Sequence, residues 1–260
     1  MNSLIGSSGF VGSSLLRQQA FDHLYRSNNI ATIGKTAHDL VICAAAPAQK
    51  WIANREPAAD LKNIEMLIEQ LDKVSCKQFV LISTVDVFTS PNGVNEASPV
   101  EEKDLHPYGL HRRRLEQFVE QRFDEHLILR LPGLVGPGLR KNVIFDFLNS
   151  NNLQVINSRN VFQFYPMVNL WSDIQVALES RLALVHLTAE PISVADVSLG
   201  GFGEMFCNEL EGDTVRYDFQ TQHADKFGGS GAYQYSKRET LQAIRAYAQS
   251  EKLTIDGRQS

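Results

Sequence analysis

The chain has 260 residues, of which 43% are hydrophobic and 21% charged, and its formal net charge is −5. This length suffices to bury a full core in one large domain, or in one domain with a smaller lobe. The mixed charges form no broad basic field, which argues against nucleic acid or a membrane surface as partners and favours small-molecule chemistry. No stretch approaches the roughly 18 apolar residues of a membrane span, and the first residues do not have the composition of a signal peptide.

The spacing of cysteines and histidines argues against disulfides and metal sites. Cys43, Cys76 and Cys207 are odd in number and far apart, so they form neither a disulfide framework nor a Cys-x-x-Cys motif. His106 and His111 do not have the i, i+4 spacing of a helical zinc site. We therefore expect a soluble cytoplasmic protein without a catalytic metal.

The predicted elements alternate between strands and helices. Residues 1–5 have the composition of a short strand, and the apolar residues between 10 and 20 follow a helical spacing. The nearly continuous apolar runs 40–46 and 79–82 are typical of strands buried on both faces of a parallel sheet, and a helical pattern at 58–71 separates them. This order predicts an α/β fold of the Rossmann type, with a doubly wound parallel sheet.

The alternation continues up to residue 131, after which the composition changes. A helix is predicted at 108–123 and a buried strand at 126–131, followed by a segment rich in Pro and Gly. We expect a small C-terminal substrate lobe at the carboxyl edge of the sheet, where ligands of open α/β sheets bind. The expected boundaries are 1–130 for the NAD(P)-binding domain, completed by about 160–190, and 131–159 with 191–260 for the lobe.

A glycine-rich loop, Gly6-Ser7-Ser8-Gly9-Phe10-Val11-Gly12, joins the first strand to the first helix. Gly6 permits a tight turn, Gly9 lets backbone N–H groups approach a pyrophosphate, and Gly12 lets helix and strand pack closely. The amino end of the helix then presents the positive pole of its dipole to the phosphates. The loop predicts a dinucleotide site to which Ser8, Phe10 and Val11 also contribute. The alternative is a strand-helix turn without a ligand.

The end of the second predicted strand bears on the choice between NAD and NADP. An acidic residue at this point would bind the free 2′-hydroxyl of the adenosine ribose, but the chain has Arg26 and Ser27 there. An arginine beside a hydroxyl is typical of a site for the 2′-phosphate. We expect NADP to be preferred, with NAD as the alternative cofactor if Arg26 is an ordinary solvated residue.

Further motifs follow the glycine loop in a fixed order. They are Val41-Ile42-Cys43-Ala44-Ala45-Ala46-Pro47, Asn63, Leu81-Ile82-Ser83-Thr84-Val85-Asp86-Val87-Phe88, Tyr108-Gly109-Leu110-His111-Arg112 and Arg130-Leu131-Pro132-Gly133-Leu134-Val135-Gly136-Pro137. This set resembles the extended short-chain dehydrogenase/reductase superfamily, of the NAD-dependent epimerase/dehydratase type. Within it, the sequence looks most like the dTDP-4-dehydrorhamnose reductases and related sugar-nucleotide ketoreductases and epimerases.

The resemblance implies a reaction centre made of a phenol, a hydroxyl and a cation. Tyr108 matches the tyrosine that moves a proton at the substrate oxygen, and Thr84 matches the hydroxyl that holds this oxygen. A phenol has an ordinary pKa near 10, so a nearby cation must lower it for use at neutral pH. The family has a lysine one helical turn after the tyrosine, where this chain has Arg112. The alternative for Arg112 is a surface ion pair with Glu116.

The resemblance also assigns residues around this centre. The cofactor is expected to contact Ala44, Ala45, Ala46, Asn63, Tyr108, Arg112 and Pro132. The substrate is expected to contact Thr84, Val85 and Asn142. An exposed helix amide is the alternative for Asn63, and a helix N-cap is the alternative for Asn142. The implied assembly is a homodimer built on the helices after Ala58 and Tyr108, whose apolar stripes would equally suit packing on the sheet.

Three reactions and one non-catalytic role fit this family. The expected reaction is 4-keto reduction of a nucleotide-linked sugar, and 4-epimerisation is the alternative that needs the same groups. Dehydration is disfavoured because the family's dehydratases have an Asp-Glu pair directly after the threonine, where this chain has Val85 and Asp86. The alternative from a different class of function is a Rossmann module that binds NADP without catalysis. This alternative stays open because Arg112 replaces the family's lysine.

Overall fold

A computed structural model describes residues 1–251 and the backbone of residues 254–255 and 258–259. The described chain divides into two compact units. The first unit contains residues 1–90, 96–131 and 170–186, and the second contains 91–95, 132–169 and 187–260. Each unit is thus assembled from segments that are separated in the sequence.

The described chain contains fourteen short strands and eight α-helices. The strands are β1 Asn2–Ile5, β2 His23–Tyr25, β3 Ala37–Cys43, β4 Ser75–Thr84, β5 Asn92–Val94, β6 His126–Leu131, β7 Gly133–Val135, β8 Val161–Phe162, β9 Phe164–Pro166, β10 Leu184–His186, β11 Ile192–Ser193, β12 Asp218–Phe219, β13 Thr254–Ile255 and β14 Arg258–Gln259. The α-helices are α1 Phe10–Gln18, α2 Lys50–Arg55, α3 Pro57–Leu71, α4 Pro107–Arg122, α5 Val143–Asn149, α6 Leu170–Glu179, α7 Val194–Val197 and α8 Lys237–Ser250.

The first unit is built on a six-stranded sheet in which all paired strands are parallel. The strand order is β10-β6-β4-β3-β1-β2, so the order reverses between β1 and β3. In doubly wound sheets this switch point is where the carboxyl ends of the strands leave a crevice for a ligand. The register places Ile5 opposite Cys43 and Thr84 opposite Leu131. The predicted Rossmann-type α/β fold is confirmed.

Apolar side chains cover both faces of this sheet. On one face, Val41 and Phe79 pack in a core with Ile64 of α3 and Leu115 of α4. The neighbouring strand residues, which point to the opposite face, are also buried, as are Leu15 of α1 and Ile174 of α6. Burial on both faces explains why the central strands have continuous rather than alternating apolar sequences.

The second unit contains four two-stranded sheets in the described residues, one of which pairs β13 with β14 in antiparallel orientation. Strand β7 pairs with β9 in parallel, β8 pairs with β11 in antiparallel orientation, and β5 pairs with β12 in parallel. Its longest helix, α8, begins with a capping box in which Ser236 and Glu239 satisfy each other's backbone N–H groups. In the ranges that the structure describes, no helix has both the length and the apolar composition needed to cross a membrane.

Candidate cofactor and catalytic site

The glycine loop follows β1 directly and turns the chain into α1. Gly6 has a φ of +85°, and a Cβ at this position would overlap the carbonyl group of Ala44. A Cβ on Gly12 would overlap the carbonyl oxygen of Gly6. Both positions therefore require glycine for steric reasons. A Cβ on Gly9 would meet its nearest atom at 3.5 Å, so Gly9 is the one loop glycine that the fold itself does not require.

The amino end of α1 has the properties of an anion site. Gly9 is its N-cap, and no side chain caps the first backbone N–H groups. The first turn contains no acidic residue, and Ser8 is exposed beside it. Phe10 and Val11 are half-buried in the same turn. Uncapped N–H groups at a helix amino end bind phosphate well, so the loop fits the pyrophosphate of a dinucleotide.

Arg26, which directly follows β2, is bonded to this loop. Its Nε donates to the Oγ of Ser7 at 3.0 Å, and its backbone N donates to the Oδ1 of Asn29 at 2.7 Å. Arg26 and Ser27 are both exposed. The guanidinium thus lies beside the loop, although it was Ser27 rather than Ser7 that the sequence indicated as its hydroxyl partner.

Ala44, Ala45 and Ala46 follow β3, the strand next to β1. The backbone N of Ala44 donates to the carbonyl of Ile5 at 2.9 Å, and all three alanines are half-buried. Small side chains at this point keep the space beside the glycine loop open. Ala44 and Ala45 therefore lie beside the loop, and the contact of the three alanines with the cofactor stays a prediction.

Thr84 and Tyr108 come together at the carboxyl end of β4. Thr84 is the last residue of β4 and Tyr108 lies in the first turn of α4, and the hydroxyl of Thr84 acts on the phenol of Tyr108, whose pKa it lowers. The backbone N of Tyr108 donates to the Oδ1 of Asn54 in α2 at 3.0 Å. Gly109 follows Tyr108 because a Cβ there would overlap the carbonyl oxygen of Asp86. This close approach of helix and strand end brings the two hydroxyl groups together.

Arg112 is buried rather than on the helix surface. Its guanidinium lies 4.0 Å from the ring centroid of Tyr108 and donates to both carboxylate oxygens of Asp60 and to the carbonyl of Pro47. Its Nε has no hydrogen-bond partner in the described part of the chain. The alternative ion pair with Glu116 is wrong, because Glu116 instead pairs with Arg130 and Arg113. Arg112 is thus beside Tyr108, as the i, i+4 spacing predicted.

The pKa of Tyr108 is raised from its ordinary value in this environment. Burial is the largest cause, and the charges of Asp86 and Asp60 act in the same direction. Arg112 and the hydrogen bond from Thr84 lower the pKa but do not outweigh burial. The lowering that the sequence led us to expect from Arg112 is therefore present as a contribution, while the net shift has the opposite sign.

Asp60 was not identified from the sequence, although it holds Arg112. Burial alone would raise the pKa of Asp60, but hydrogen bonds from Arg112 and His111 outweigh it and lower the pKa. The available signal was its position: Asp60 lies on the buried stripe of α3 together with Ile64 and Leu67. A carboxylate on a buried stripe requires a cationic partner. Asn63, the predicted cofactor contact on α3, is exposed instead.

Three ionisable side chains near the two hydroxyl groups were also not assigned a role. Lys50 Nζ lies 2.7 Å from Asp86 Oδ1, and His106 Nε2 lies 4.0 Å from the same oxygen. The pKa of His106 is lowered, first by burial and then by the charge of Lys50. Lys50 and Asp86 are 36 residues apart, so no local pattern indicates the pair.

The remaining predicted residues are in or near turns. Val85 is buried directly after Thr84. In the second unit, Pro132 is buried, and Asn142 caps α5: its Oδ1 accepts from the backbone N of Ile144 and Phe145, and its Nδ2 donates to the carbonyl of Leu134. The alternative interpretation of Asn142 as a helix cap is the one that its hydrogen bonds show. In the part of the chain that the structure describes, no group of three or more His, Cys, Asp or Glu could hold a metal ion.

Several solved structures are similar to this chain over nearly its full length. UDP-glucose 4-epimerase from Thermotoga maritima, with UDP-glucose, has a TM-score of 0.70 at 16% identity, covering 96% of this chain and 98% of that one. WbmG from Bordetella bronchiseptica, with NAD, has a TM-score of 0.74 at 17% identity, covering 96% and 94%. dTDP-4-dehydrorhamnose reductase from Bacillus anthracis, with NADP, has a TM-score of 0.72 at 18% identity, covering 94% and 96%. At these identities the likeness concerns the fold.

A family model shows the relationship of this chain to known proteins at the level of sequence. A search of curated proteins found no match to the chain. The model described as "NAD dependent epimerase/dehydratase family" matches residues 3–162. This range contains the glycine loop, Thr84, Tyr108 and Arg112, and it is more than half of the 260 residues. The chain therefore belongs to the NAD-dependent epimerase/dehydratase family.

Proposed function

We propose that the protein is an NAD(P)-dependent oxidoreductase that reduces the 4-keto group of a nucleotide-linked sugar, with Tyr108 as the acid/base. The observation that carries the proposal is that Thr84, at the end of β4, and Tyr108, in the first turn of α4, lie beside the guanidinium of Arg112. Two hydroxyl groups that converge on one point can hold and protonate a single substrate oxygen. The glycine loop at the switch point of the same sheet supplies a site for the dinucleotide.

The protein's own groups manage the proton and the substrate oxygen. Thr84 donates a hydrogen bond to the carbonyl oxygen, and Tyr108 transfers its phenolic proton to that oxygen as the alcohol forms. When bound, the nicotinamide would supply the hydride for the sugar carbon. The raised pKa of Tyr108 keeps the phenol protonated at neutral pH, which suits a group that acts as the acid in a reduction.

Arg112 has two roles in this proposal. Its charge stabilises the phenolate that is left after proton transfer, because the guanidinium lies over the Tyr108 ring. Its Nε–H is buried without a partner in the described residues, and an unpaired buried donor costs about 1–3 kcal/mol. A ribose hydroxyl of the cofactor would satisfy this donor, as the family resemblance implies for the residue at this position.

The preference for NADP rests on Arg26. The bond to Ser7 holds the guanidinium of Arg26 at the glycine loop, where the adenosine half of a dinucleotide binds in Rossmann folds. Its exposed face is available for a 2′-phosphate, and Ser27 is adjacent. The related structures do not decide between NAD and NADP, since WbmG contains NAD and the dTDP-4-dehydrorhamnose reductase contains NADP.

We favour 4-keto reduction over 4-epimerisation and dehydration. Dehydration requires an acid and a base at the two residues after the threonine, and Val85 occupies the first of these. Epimerisation uses the same hydroxyl groups but also requires the keto intermediate to turn over within the site, and the small second unit favours reduction. We assign substrate contacts to Thr84, Val85 and Asn142, and a cofactor contact to Pro132.

The test combines cofactor binding and turnover. Titration with NADPH and NADH is followed by an assay of hydride transfer to a panel of nucleotide-linked 4-keto sugars. Reduction by the wild type, abolished in Tyr108→Phe but retained in Tyr233→Phe, supports the proposal; Tyr233 is a matched control because its phenol bonds Asp218 in the second unit. Equal rates in wild type and Tyr108→Phe contradict the assigned role of Tyr108.

A cofactor-binding module without catalysis is the second candidate. It is favoured by the pairing of Arg112 with Asp60, which neutralises the charge beside Tyr108, and by the raised pKa of Tyr108. Tight NADPH binding with no reduction of any sugar in the panel would select this candidate.

We also propose a homodimer built on α3 and α4. Their main apolar stripes pack on the sheet, which leaves a groove lined by Glu65, Ile68, Arg114, Gln117 and Phe118 on the outer side. Met66 is 54% exposed beside it. Light scattering of the wild type and of Met66→Glu tests the assembly: a dimer that dissociates in the variant supports the proposal, and a monomeric wild type contradicts it.

A further inference from the structure

Tyr108 needs a route for its proton. The side chain is buried, with a relative exposure of 8%, so solvent does not reach it freely. If Tyr108 gives its proton to a substrate in each turnover, as proposed above, another proton must arrive before the next turnover. The neighbours of Tyr108 determine where this proton enters.

The side of Arg112 is closed to proton transfer. A guanidinium remains protonated at any pH that a protein tolerates, so it donates hydrogen bonds but does not pass on a proton. Its partner Asp60 is buried, and its two oxygens accept from Arg112 and His111. The lowered pKa of Asp60 keeps this group ionised. This arrangement stabilises charge and offers no exchangeable proton.

The side of Thr84 is open. The Oγ1 of Thr84 accepts from the backbone N of Asp86 at 3.2 Å and donates to the Oδ2 of Asp86 at 3.4 Å. A hydroxyl has one hydrogen, which Thr84 can donate either to Asp86 or to the phenol oxygen of Tyr108, and donation to the phenol oxygen lowers the pKa of Tyr108. The three side chains thus form one chain from phenol to carboxylate. Such bonds are commonly long before substrate binds and shorten in the complex.

Asp86 connects this chain to solvent. Its side chain is 18% exposed, and its Oδ1 faces Lys50 at 2.7 Å and His106 at 4.0 Å. The Nδ1 of His106 accepts from the backbone N of Gly109 at 3.0 Å, which places the ring proton of a neutral His106 on Nε2, on the side of Asp86. Each oxygen of Asp86 therefore has its own function: Oδ2 bonds Thr84, and Oδ1 is held by groups that are themselves partly exposed.

We infer that Asp86 is the proton inlet of the site, which returns a proton from solvent to Tyr108 through the hydroxyl of Thr84. A solvent proton adds to the carboxylate of Asp86. This proton then moves to Thr84 Oγ1 as the hydroxyl proton of Thr84 moves to the phenolate of Tyr108. Asp86 is a carboxylate again, Thr84 and Tyr108 both have their hydroxyl protons, and no electron has been transferred. Lys50 positions the carboxylate between these steps.

Asp86→Asn should slow the return of the proton to Tyr108. An amide cannot deliver the proton, so we expect kcat to fall by at least about tenfold, with little change in the Kd for NADPH. Small weak acids such as formate or acetate should restore part of kcat in this variant and leave the wild type unaffected. The solvent deuterium isotope effect on kcat should increase. The matched control is Asp72→Asn, whose carboxylate is in an exposed pair with Arg122.

A measurement without turnover tests the same contact. The phenol of Tyr108 is titrated by ultraviolet absorbance, with the other six of the seven tyrosines subtracted by use of the Tyr108→Phe variant. The charged groups that act on this phenol are Arg112, Asp86 and Asp60, while the titratable groups Lys50 and His106 face Asp86. Because Asp86 raises the pKa of Tyr108, Asp86→Asn should shift the titration to lower pH. Lys50→Met leaves Asp86 without its cation, so it should shift the titration of Tyr108 to higher pH. This variant replaces Asp86→Asn in the test if Asp86→Asn does not fold.

The outcomes separate this inference from the proposed function on which it rests. If the wild type reduces a 4-keto sugar and Asp86→Asn does so at the wild-type rate, the proton inlet is refuted while the function stands. If the wild type reduces no substrate in the panel, the proposed function fails, and the phenol titration decides about the contact. A Tyr108 titration that is unchanged in both Asp86→Asn and Lys50→Met refutes the inlet in either case.

Discussion

Asp60 and Arg112 form a buried, doubly hydrogen-bonded ion pair between α3 and α4. Both side chains have relative exposures of 5% or less, so neither charge can be hydrated if its partner is removed. The pair fixes the guanidinium over the ring of Tyr108 and joins two helices that cover the same face of the sheet. The position of the guanidinium over Tyr108 thus depends on a carboxylate in a different helix.

Removal of Asp60 should destabilise the protein strongly. We expect Asp60→Ala to lower the free energy of unfolding by about 3–5 kcal/mol, because it leaves a buried guanidinium without a counter-charge. Asp72→Ala is the matched control, since it breaks an exposed pair with Arg122 and should cost about 0–1 kcal/mol. Urea denaturation of the wild type and both variants measures the difference. Equal effects of the two substitutions would contradict the importance of burial.

The same pair predicts a pH dependence of stability. The pKa of Asp60 is lower in the folded protein than its ordinary value, so its contribution to stability is present above the unfolded value of about 4 and is lost as the pH falls through the folded value. Urea denaturation between pH 3 and pH 7 should therefore show a loss of stability at the acid end that is smaller in Asp60→Asn. An identical acid loss in that variant would assign the effect to other carboxylates.

Much of the first unit could be predicted from local patterns. The central strands were predicted because burial on both faces gives them continuous apolar sequences. Gly6 and Gly12 were predicted from the glycine spacing, and a Cβ at either position would overlap backbone atoms. The polar beginnings of β3 and β4, including Asp39 and Lys77, were missed since these ends are exposed. Their residues are strand only because the neighbouring strands extend that far.

The charged partners of the site could not be predicted in the same way. Asp60 meets Arg112 across 52 residues and Lys50 meets Asp86 across 36, and such contacts depend on how helices pack, which a local pattern does not specify. Asn63 was chosen from the resemblance alone, and only the helical phase of α3 shows that Asp60, three residues earlier, is the inward-facing polar residue. Segment 91–95 joins the second unit for a comparable reason, since β5 pairs with β12 far along the chain.

The three loop glycines should differ in their contributions to stability and to cofactor binding. Gly6→Ala and Gly12→Ala should destabilise the fold, because the new Cβ meets backbone atoms that cannot move aside. Gly9→Ala should keep the wild-type melting temperature and weaken cofactor binding, because its Cβ projects into the space that a pyrophosphate would occupy. Thermal unfolding and NADPH titration of the three variants measure both properties. Wild-type NADPH affinity in Gly9→Ala would argue against pyrophosphate binding at this loop.

Arg26 should distinguish the two cofactors. We expect Arg26→Ala to weaken NADPH binding by about tenfold or more, as for a lost hydrogen bond to a charged group worth about 1.5–3 kcal/mol, with little change for NADH. Lys35→Ala is a suitable control because Lys35 is an exposed cation in the same connection between β2 and β3. Isothermal calorimetry gives the affinities of the wild type and of both variants for NADPH and for NADH. Equal weakening of NADPH and NADH in Arg26→Ala would remove the argument for NADP.

Glu116 and Arg130 form a second buried pair one turn further along α4, and its energetics can be separated by a double-mutant cycle. Glu116 accepts from Nε and Nη2 of Arg130, at 3.0 and 2.7 Å, and from the hydroxyl of Ser83 at 2.5 Å. Glu116→Gln should cost about 3–5 kcal/mol of unfolding free energy, because Arg130 then remains charged and buried. Arg130→Met should cost less, because Glu116 keeps its ion pair with Arg113.

The double variant should be more stable than the sum of the two single effects predicts. With both charges absent, neither partner is left unpaired, so the interaction energy from the cycle should exceed about 1 kcal/mol. Urea denaturation of the four proteins supplies the cycle. Additive losses would mean that the two residues stabilise the fold independently.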